Sequence, residues 1–200
     1  EDDVSCFVSF GNPAYDRDIV AEHRALCYPS PYHINLVSSK GVSAGVDVWK
    51  GKENGVGYII SGDPGKAKTS ESVAHVWTFE DSYTNKEGKE YPPRHIHCAT
   101  LAGWYDEGEF GEYMKLLGHY YNEGVLCPED NLDLVSHVKD YPQLYWREDL
   151  RSGKILRAIG WQTNVSTKPL MITEVNRNLE YIECYDARFW EQLGNVQRDP

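Results

Sequence analysis

Paired cysteines, basic charge and long apolar runs are all scarce in this chain, and each scarcity removes a class of function. The five cysteines, Cys6, Cys27, Cys98, Cys127 and Cys184, are odd in number and none are spaced C-x-x-C. That argues against a disulfide framework and a zinc ribbon, and it fits buried free thiols in a reducing cytosol. Twenty Lys and Arg stand against 31 Asp and Glu, for a net charge of −11. A protein that coats nucleic acid by charge alone would be basic. A metal-dependent nuclease, whose site is acidic, survives this test. No run approaches the roughly 20 apolar residues of a membrane span, and the opening EDDVSCF lacks the basic start of a signal peptide. Internal repeats and low-complexity tracts are missing too.

What is present suits one folded domain. The chain has 200 residues, 40% apolar and 12% aromatic, enough for a sizeable core. It opens without Met and stops after NVQRDP, and we read it as a piece of a longer protein. Residues 1–55 read as a leading segment or linker: DRDIVAEHRALCY has a helical pattern ended by Pro29 and Pro31, and SSKGVSAGVDVWKGKENGVG reads as loop or extended chain. The folded domain is expected over 56–200. GYIISGD reads as a buried strand, and SVAHVWTFED as a strand with Val73, His75 and Trp77 on one face. RHIHCATLAGW completes an antiparallel meander. The period then changes. Phe110, Met114, Leu117 and Tyr121 share one helical face, with Asp106 and Glu109 as a capping box and Gly124 as the stop. VLCPEDN reads as a short strand, LDLVSHVKDYP as a short helix striped by Leu132, Val135 and Val138, and residues 143–164 as a hairpin. A last helix starts at Ser166 or Thr167 and carries Met171, Val175, Leu179 and Ile182. The fold class is α/β with a mixed sheet.

Two strands in this order end in carboxylates, Asp63 and Glu129. In open mixed sheets chemistry collects at the carboxyl ends of strands. Strand ends are stiff platforms, and Mg²⁺ or Mn²⁺ takes a few carboxylate oxygens and keeps waters. Each acid alone also fits a solvated turn. Glu71, at the start of the second strand, is a third candidate ligand. Asn131 is a candidate cap for the following helix, or a site residue.

Other stretches carry weaker signals. GDPGKAKTS lacks G-x-x-x-x-G-K-[ST] and leads into a strand, so it is no phosphate loop, although Lys66 and Lys68 are placed to touch a phosphate backbone. His95 and His97 alternate on a strand, but no third zinc ligand accompanies them. Asn164-Val-Ser166 matches a glycosylation sequon in a chain otherwise without secretory features. Trp146, Arg147, Arg151, Lys154, Arg157 and Trp161 concentrate base and aromatic in the hairpin, with Lys168 at the next helix head. This cluster is the best candidate for meeting phosphates, and it also fits an ordinary amphipathic hairpin.

Taken together, YIISGDPGKAKTSESVAHVWTF, FGEYMKLLGHYYNEGVLCPEDNLDLVSHVKDYPQLYWRE and GWQTNVSTKPLMITEVNRNL resemble the C-terminal nuclease domain of the large terminase subunit of tailed bacteriophages, the DNA-packaging motor protein. The resemblance runs from about Trp49 to the end. It implies an RNase H-like fold: three antiparallel strands, then parallel strands, flanked by helices, with an inserted β-hairpin. It implies a divalent-metal endonuclease that cuts concatemeric double-stranded DNA, with two Mg²⁺ or Mn²⁺ ions held between Asp63 and Glu129. It places Glu71 where many relatives have Asp, and the hairpin near DNA. It further implies an upstream ATPase domain, a portal protein and a small terminase subunit as partners, and a place in the host cytoplasm at the procapsid portal. Relatives carry a final Gly-x-Asp-Asp pair after the last strand. Here FWEQLGNVQRDP resembles the strand and turn ahead of that pair, and neither Asp186 nor Asp199 matches it, so the third family carboxylate is not in this chain. Two alternatives stand beside this reading: a resolvase or transposase of the RNase H class, and a non-enzymatic binding module, for carbohydrate, suggested by 6 Trp and 14 Tyr.

Overall fold

The computed structural model describes residues 12–66, 69–149 and 152–197. Helix α1 (Arg17–Ala25) begins where the Asp16 carboxylate accepts the N–H groups of Asp18 and Ile19, an N-cap that satisfies otherwise orphaned donors. Strands β1 (Tyr32–Val37) and β2 (Ser43–Val48) follow as an antiparallel pair. Residues 1–55 were expected to lead into the domain. From Tyr32 on, this stretch instead builds the sheet itself: Val46 and Val48 are fully buried, and β2 pairs with a later strand. The Gly-rich composition hid a strand whose alternation, buried at Ala44, Val46 and Val48, is plain in the structure.

The meander is as expected. β3 (Ile59–Asp63), β4 (Ser72–Glu80) and β7 (Arg94–Gly103) run antiparallel in the order β7-β4-β3. The long turn between β4 and β7 holds a small ladder of β5 (Tyr83–Thr84) and β6 (Glu90–Tyr91). Helix α2 (Glu107–Tyr120) then crosses one face of the sheet and returns the chain to β8 (Val125–Pro128), which lies parallel to β3. The central sheet has the order β1-β2-β7-β4-β3-β8, with β11 (Ile182–Glu183) running parallel beside β7. Such parallel pairs need a crossover connection, and the helices supply it.

The Asp106 carboxylate caps α2 by accepting the Glu109 N–H at 2.8 Å. The helix does not stop at a left-handed Gly124. The left-handed residues are Asn122 and Glu123, and the Asn122 amide is fixed by donating to the Glu53 and Val56 carbonyls. Gly124 is small for another reason, since a Cβ there would meet Ile60 Cδ1 at 2.5 Å. Helix α3 (Leu134–Val138) is shorter than expected and buries Leu134 and Val138. Leu132 and Asp133 have positive φ, which delays its start, so Asn131 does not cap it. Strands β9 (Trp146–Glu148) and β10 (Ile155–Ile159) form the expected hairpin as a separate two-stranded sheet. In α4 (Thr167–Asn178) the true cap is Asn164, whose Oδ1 accepts the Ser166 and Thr167 N–H groups. The helix buries Ile172 and leaves Met171 exposed. The stretch expected as a strand before the missing acids is instead helix α5 (Ala187–Asn195), which buries Trp190.

Helices thus cover both sheet faces. On one, α2 and α3 pack Phe110, Met114, Leu117, Leu134 and Val138 onto Ile60, Val76, Leu101 and Leu126. On the other, α1, α4 and α5 bring Val20, Ile172 and Trp190 against Trp77 and Cys184. No helix among the described residues is long and apolar enough to cross a membrane. The described cysteines are free thiols; burial pushes Cys127 up to about 11 and Cys98 up to about 12.

The second face also buries polar groups. A bulge in β7 brings His97 and Thr100 to His75 of β4. His75 Nδ1 lies 3.2 Å from His97 Nε2 and 3.1 Å from Thr100 Oγ1, and Thr100 donates to Asp186 Oδ2 at 2.8 Å. Arg188 forks onto Asp186 and reaches Asp47 at 2.8 Å. His97 therefore faces His75 and Trp77, and it shares no ligand position with His95, which stacks near Phe79. Desolvation lowers His75 to about 4 and His97 to about 3, because burial penalises the charged imidazolium. Both rings should stay neutral from pH 8 down to pH 5. Imidazole ¹⁵N shifts in a pH titration would show this as two histidines that do not move; two that titrate near 6.5 would contradict it.

Candidate active site

The register of β3 against β8 decides what the two strand ends do. Ile60 pairs with Leu126, Ser61 with Cys127 and Gly62 with Pro128. The next step is Asp63 beside Glu129, and the ladder continues to it through the Glu129 N–H, which donates to the Gly62 carbonyl at 2.7 Å. Neighbouring strands lie about 4.8 Å apart, so adjacent acids in this register meet. Alternation sets their direction. A Cβ on Gly62 would run into Met114 of α2, so Asp63 turns to the opposite face, the one that carries His75.

Glu129 is gripped from its other side as well. Residues 160–162 lie alongside it: the Trp161 N–H donates to the Pro128 carbonyl at 2.9 Å, and the Asp130 N–H donates to the Trp161 carbonyl at 2.6 Å. Gly160 makes the approach possible. Its φ is +78° and a Cβ there would collide with the Pro128 carbonyl, so both its conformation and its contact exclude a side chain.

The register sets the two carboxylates side by side at the ends of adjacent strands. Partial desolvation, then the hydrogen bond and negative charge of Glu129, push Asp63 up to about 7. Two acids in contact cannot both ionise freely, and one holds a proton well above the usual carboxylate range. The pair is a hard, all-oxygen donor set. It fits Mg²⁺ or Mn²⁺, which bind through one or two carboxylates together with waters and substrate phosphates. It does not fit a softer metal that prefers nitrogen or sulfur.

The other candidates separate. Glu71 is exposed, and its charge bears on Tyr105; Glu129 is the charged group that acts on Asp63. Gly65 packs directly against the Glu71 backbone and donates its N–H to Ser72 Oγ at 3.0 Å, which ties the start of β4 to the turn after Asp63. Among the described residues no three His, Cys, Asp or Glu side chains gather closely enough to hold an ion. On the hairpin, Lys154 and Arg157 are exposed, beside exposed Trp146, Ile155 and Leu156. Lys168 sits half-buried in the first turn of α4, and Lys66 is exposed. Arg151 and Lys68 lie outside the described residues.

Arg147 corrects the sequence reading. It was expected among the phosphate contacts, yet its side chain is only 16% exposed. The guanidinium is turned inward, to Asp130 Oδ2 at 2.8 Å, Gln162 Oε1 at 2.9 Å and the Gly160 carbonyl at 3.2 Å. Its spacing after a Trp in an exposed hairpin pointed to solvent; only the tertiary pairing of residues 159–162 with Glu129 shows the inward use. That pairing also gives Asp130 a partner that sequence inspection missed.

The Asp63–Glu129 contact has a measurable cost. A carboxyl whose folded pKa is raised above its unfolded value adds stability at low pH and loses it as pH rises toward the folded value. Asp63→Asn removes that penalty. The variant should melt higher than the unaltered chain at pH 8 without divalent metal, by roughly 2–4 °C once solvent screening is allowed for. The gap should close toward about pH 3, below both the ordinary and the raised value. A pH-independent gap in thermal scans would show that the two carboxylates do not interact.

No protein-family model matches this chain, and no curated protein matches it. Solved structures do. The large terminase nuclease of thermophilic phage G20c matches with a TM-score of 0.56 at 13% identity, over 89% of this chain and 81% of that one. The same nuclease with bound magnesium matches with a TM-score of 0.55 at 11% identity, over 93% and 81%. Its cobalt-bound form matches with the same figures. At these identities the likeness speaks to architecture: this chain has the mixed α/β, RNase H-like fold of those nuclease domains.

Proposed function

We propose that this chain is the nuclease domain of a phage large terminase subunit, a divalent-metal-dependent endonuclease that cuts concatemeric double-stranded DNA during genome packaging. The observation that carries the reading is the contact between Asp63 and Glu129 at the carboxyl ends of adjacent parallel strands. The shared fold supports it, since the likeness is to nuclease structures, one with magnesium bound and one with cobalt.

Asp63 and Glu129 would hold Mg²⁺ or Mn²⁺ through their carboxylate oxygens, one from each strand. A divalent ion held there would supply polarisation of the scissile phosphate and a lowered pKa for an attacking water, and family resemblance calls for two such ions. Two carboxylates this close, with Asp63 held above the usual carboxylate range, suit this role, because a bound cation would offset their mutual repulsion. The strand ends fix the oxygens before substrate arrives, so little reorganisation is needed. Lys154 and Arg157 on the hairpin, with Lys168 behind it, are the described side chains that would steer a phosphate backbone toward the pair. In an acidic chain this local patch supplies grip, and an upstream ATPase domain of the same polypeptide supplies the rest. The portal protein and the small terminase subunit are the further partners of this reading, and the host cytoplasm at the procapsid portal its location. A Walker-type ATPase preceding this segment in the parent chain would separate it from RNase H-class resolvases and transposases.

Nicking of supercoiled plasmid in Mn²⁺ tests the core of the reading. Asp63→Ala and Glu129→Gln should each lower the rate by about 100-fold or more, roughly 2.7 kcal/mol of barrier, while urea unfolding midpoints hold or rise. Unchanged nicking by either variant rejects the assignment. Replacing Lys154 and Arg157 with Gln should weaken DNA binding and flatten its dependence on salt, by about one unit of log–log slope per charge removed. An unaltered slope would take the hairpin out of the DNA path.

A further inference from the structure

Arg147 lies at the meeting point of three segments that have no sequence proximity to one another. It is the second residue of β9 and so belongs to the hairpin. Its Nε donates to the Gly160 carbonyl at 3.2 Å, and one terminal nitrogen donates to Gln162 Oε1 at 2.9 Å. The other terminal nitrogen donates to Asp130 Oδ2 at 2.8 Å and to the Ile159 carbonyl at 3.4 Å. Four donations from one guanidinium leave little for a phosphate. Asp130 adjoins Glu129, and its own N–H is held by the Trp161 carbonyl. The Gly160 N–H donates to the Tyr145 carbonyl at 2.9 Å, closing the loop back to the base of the hairpin.

We propose that Arg147 is a positioning residue for Glu129. By clamping Asp130 to residues 159–162, it fixes the strand end that aims the Glu129 carboxylate at Asp63, and it ties that aim to the hairpin. This rests on the reading of Asp63 and Glu129 as metal ligands. Groups that hold a ligand in place from behind change metal affinity by about 10–100-fold when removed. The fork matters as well as the charge. Lysine offers a point charge on a flexible stem and cannot bridge Asp130, Gly160 and Gln162 at once.

The test pairs calorimetric Mn²⁺ titration in the absence of DNA with plasmid nicking. Arg147→Met should weaken Mn²⁺ binding about 10-fold or more and lower kcat, while KM for DNA and the salt slope of DNA binding stay as in the unaltered chain. Arg147→Lys should recover part of the loss. Asp130→Asn keeps the shape of an exposed partner and needs no refolding of the core; it should give the same weakened Mn²⁺ binding, and the double variant should be no worse than either single one. Unaltered Mn²⁺ affinity in both Arg147→Met and Asp130→Asn overturns the proposal. So does a raised KM with a salt slope lower by about one unit and an unchanged kcat, the signature of a phosphate contact. Asp63→Ala separates the two levels. If Mn²⁺ binding survives that change, the ion is held elsewhere, and the nuclease reading falls together with this one. If Asp63→Ala abolishes binding and Arg147→Met leaves it intact, the nuclease reading stands and the positioning role alone is wrong.

Discussion

The 2.7 Å hydrogen bond from the Glu129 N–H to the Gly62 carbonyl extends the β3–β8 ladder one step past the end of the strand. Much of the rest of the molecule serves that step. Parallel pairing requires the chain to cross the sheet and come back, and α2 makes that crossing over a bed of Ile60, Val76 and Leu101. The bed must be close, and Gly62 lets Met114 lie directly against the strand. The same glycine, by facing the helix, sends Asp63 to the other side. Packing on one face thus determines chemistry on the opposite one.

The two faces differ in kind. The α2 side is closed by aliphatic and aromatic side chains, whose burial stabilises without regard to direction. The other side carries a chain of polar contacts from His97 and His75 through Thr100 and Asp186 to Arg188 and Asp47. Such networks are directional and hold only when nearly every member is satisfied. His97 Nδ1 and Trp161 Nε1 are buried without a protein partner. Unpartnered buried polar atoms, and two acids close enough that one raises the pKa of the other, collect where proteins give up stability for function.

How much of this was legible beforehand depended on the range of the interactions. β3, β4, β7 and α2 declared themselves through short β-rich apolar runs or a helical period. β2 did not, since its Gly and Ser residues carry no propensity and its strand character comes from pairing with β7. α5 was missed for a related reason: Phe189 and Trp190 look strand-like, but they are helical residues docked on Trp77 and His23. Asp63 and Glu129 could be singled out as strand-end acids, and their meeting followed once the strands were taken as neighbours. Glu71 could not be judged the same way, because it precedes β4 in the loop where Gly65 and Lys66 bond to Ser72 and Ser70. Arg147 was the furthest from view. A basic residue beside Trp reads as surface, and nothing local reveals that residues 159–162 return to enclose it.

Gly160 carries a last consequence. A left-handed backbone pressed on the Pro128 carbonyl admits no side chain at residue 160, so main chain meets main chain there and the Arg147 guanidinium closes the seam around it. Variation in the hairpin can therefore lengthen, recharge or reshape its tip, and still leave the hinge point where it rejoins the sheet untouched. The reach of the hairpin and the alignment of the two strand-end acids therefore meet at one fixed backbone point.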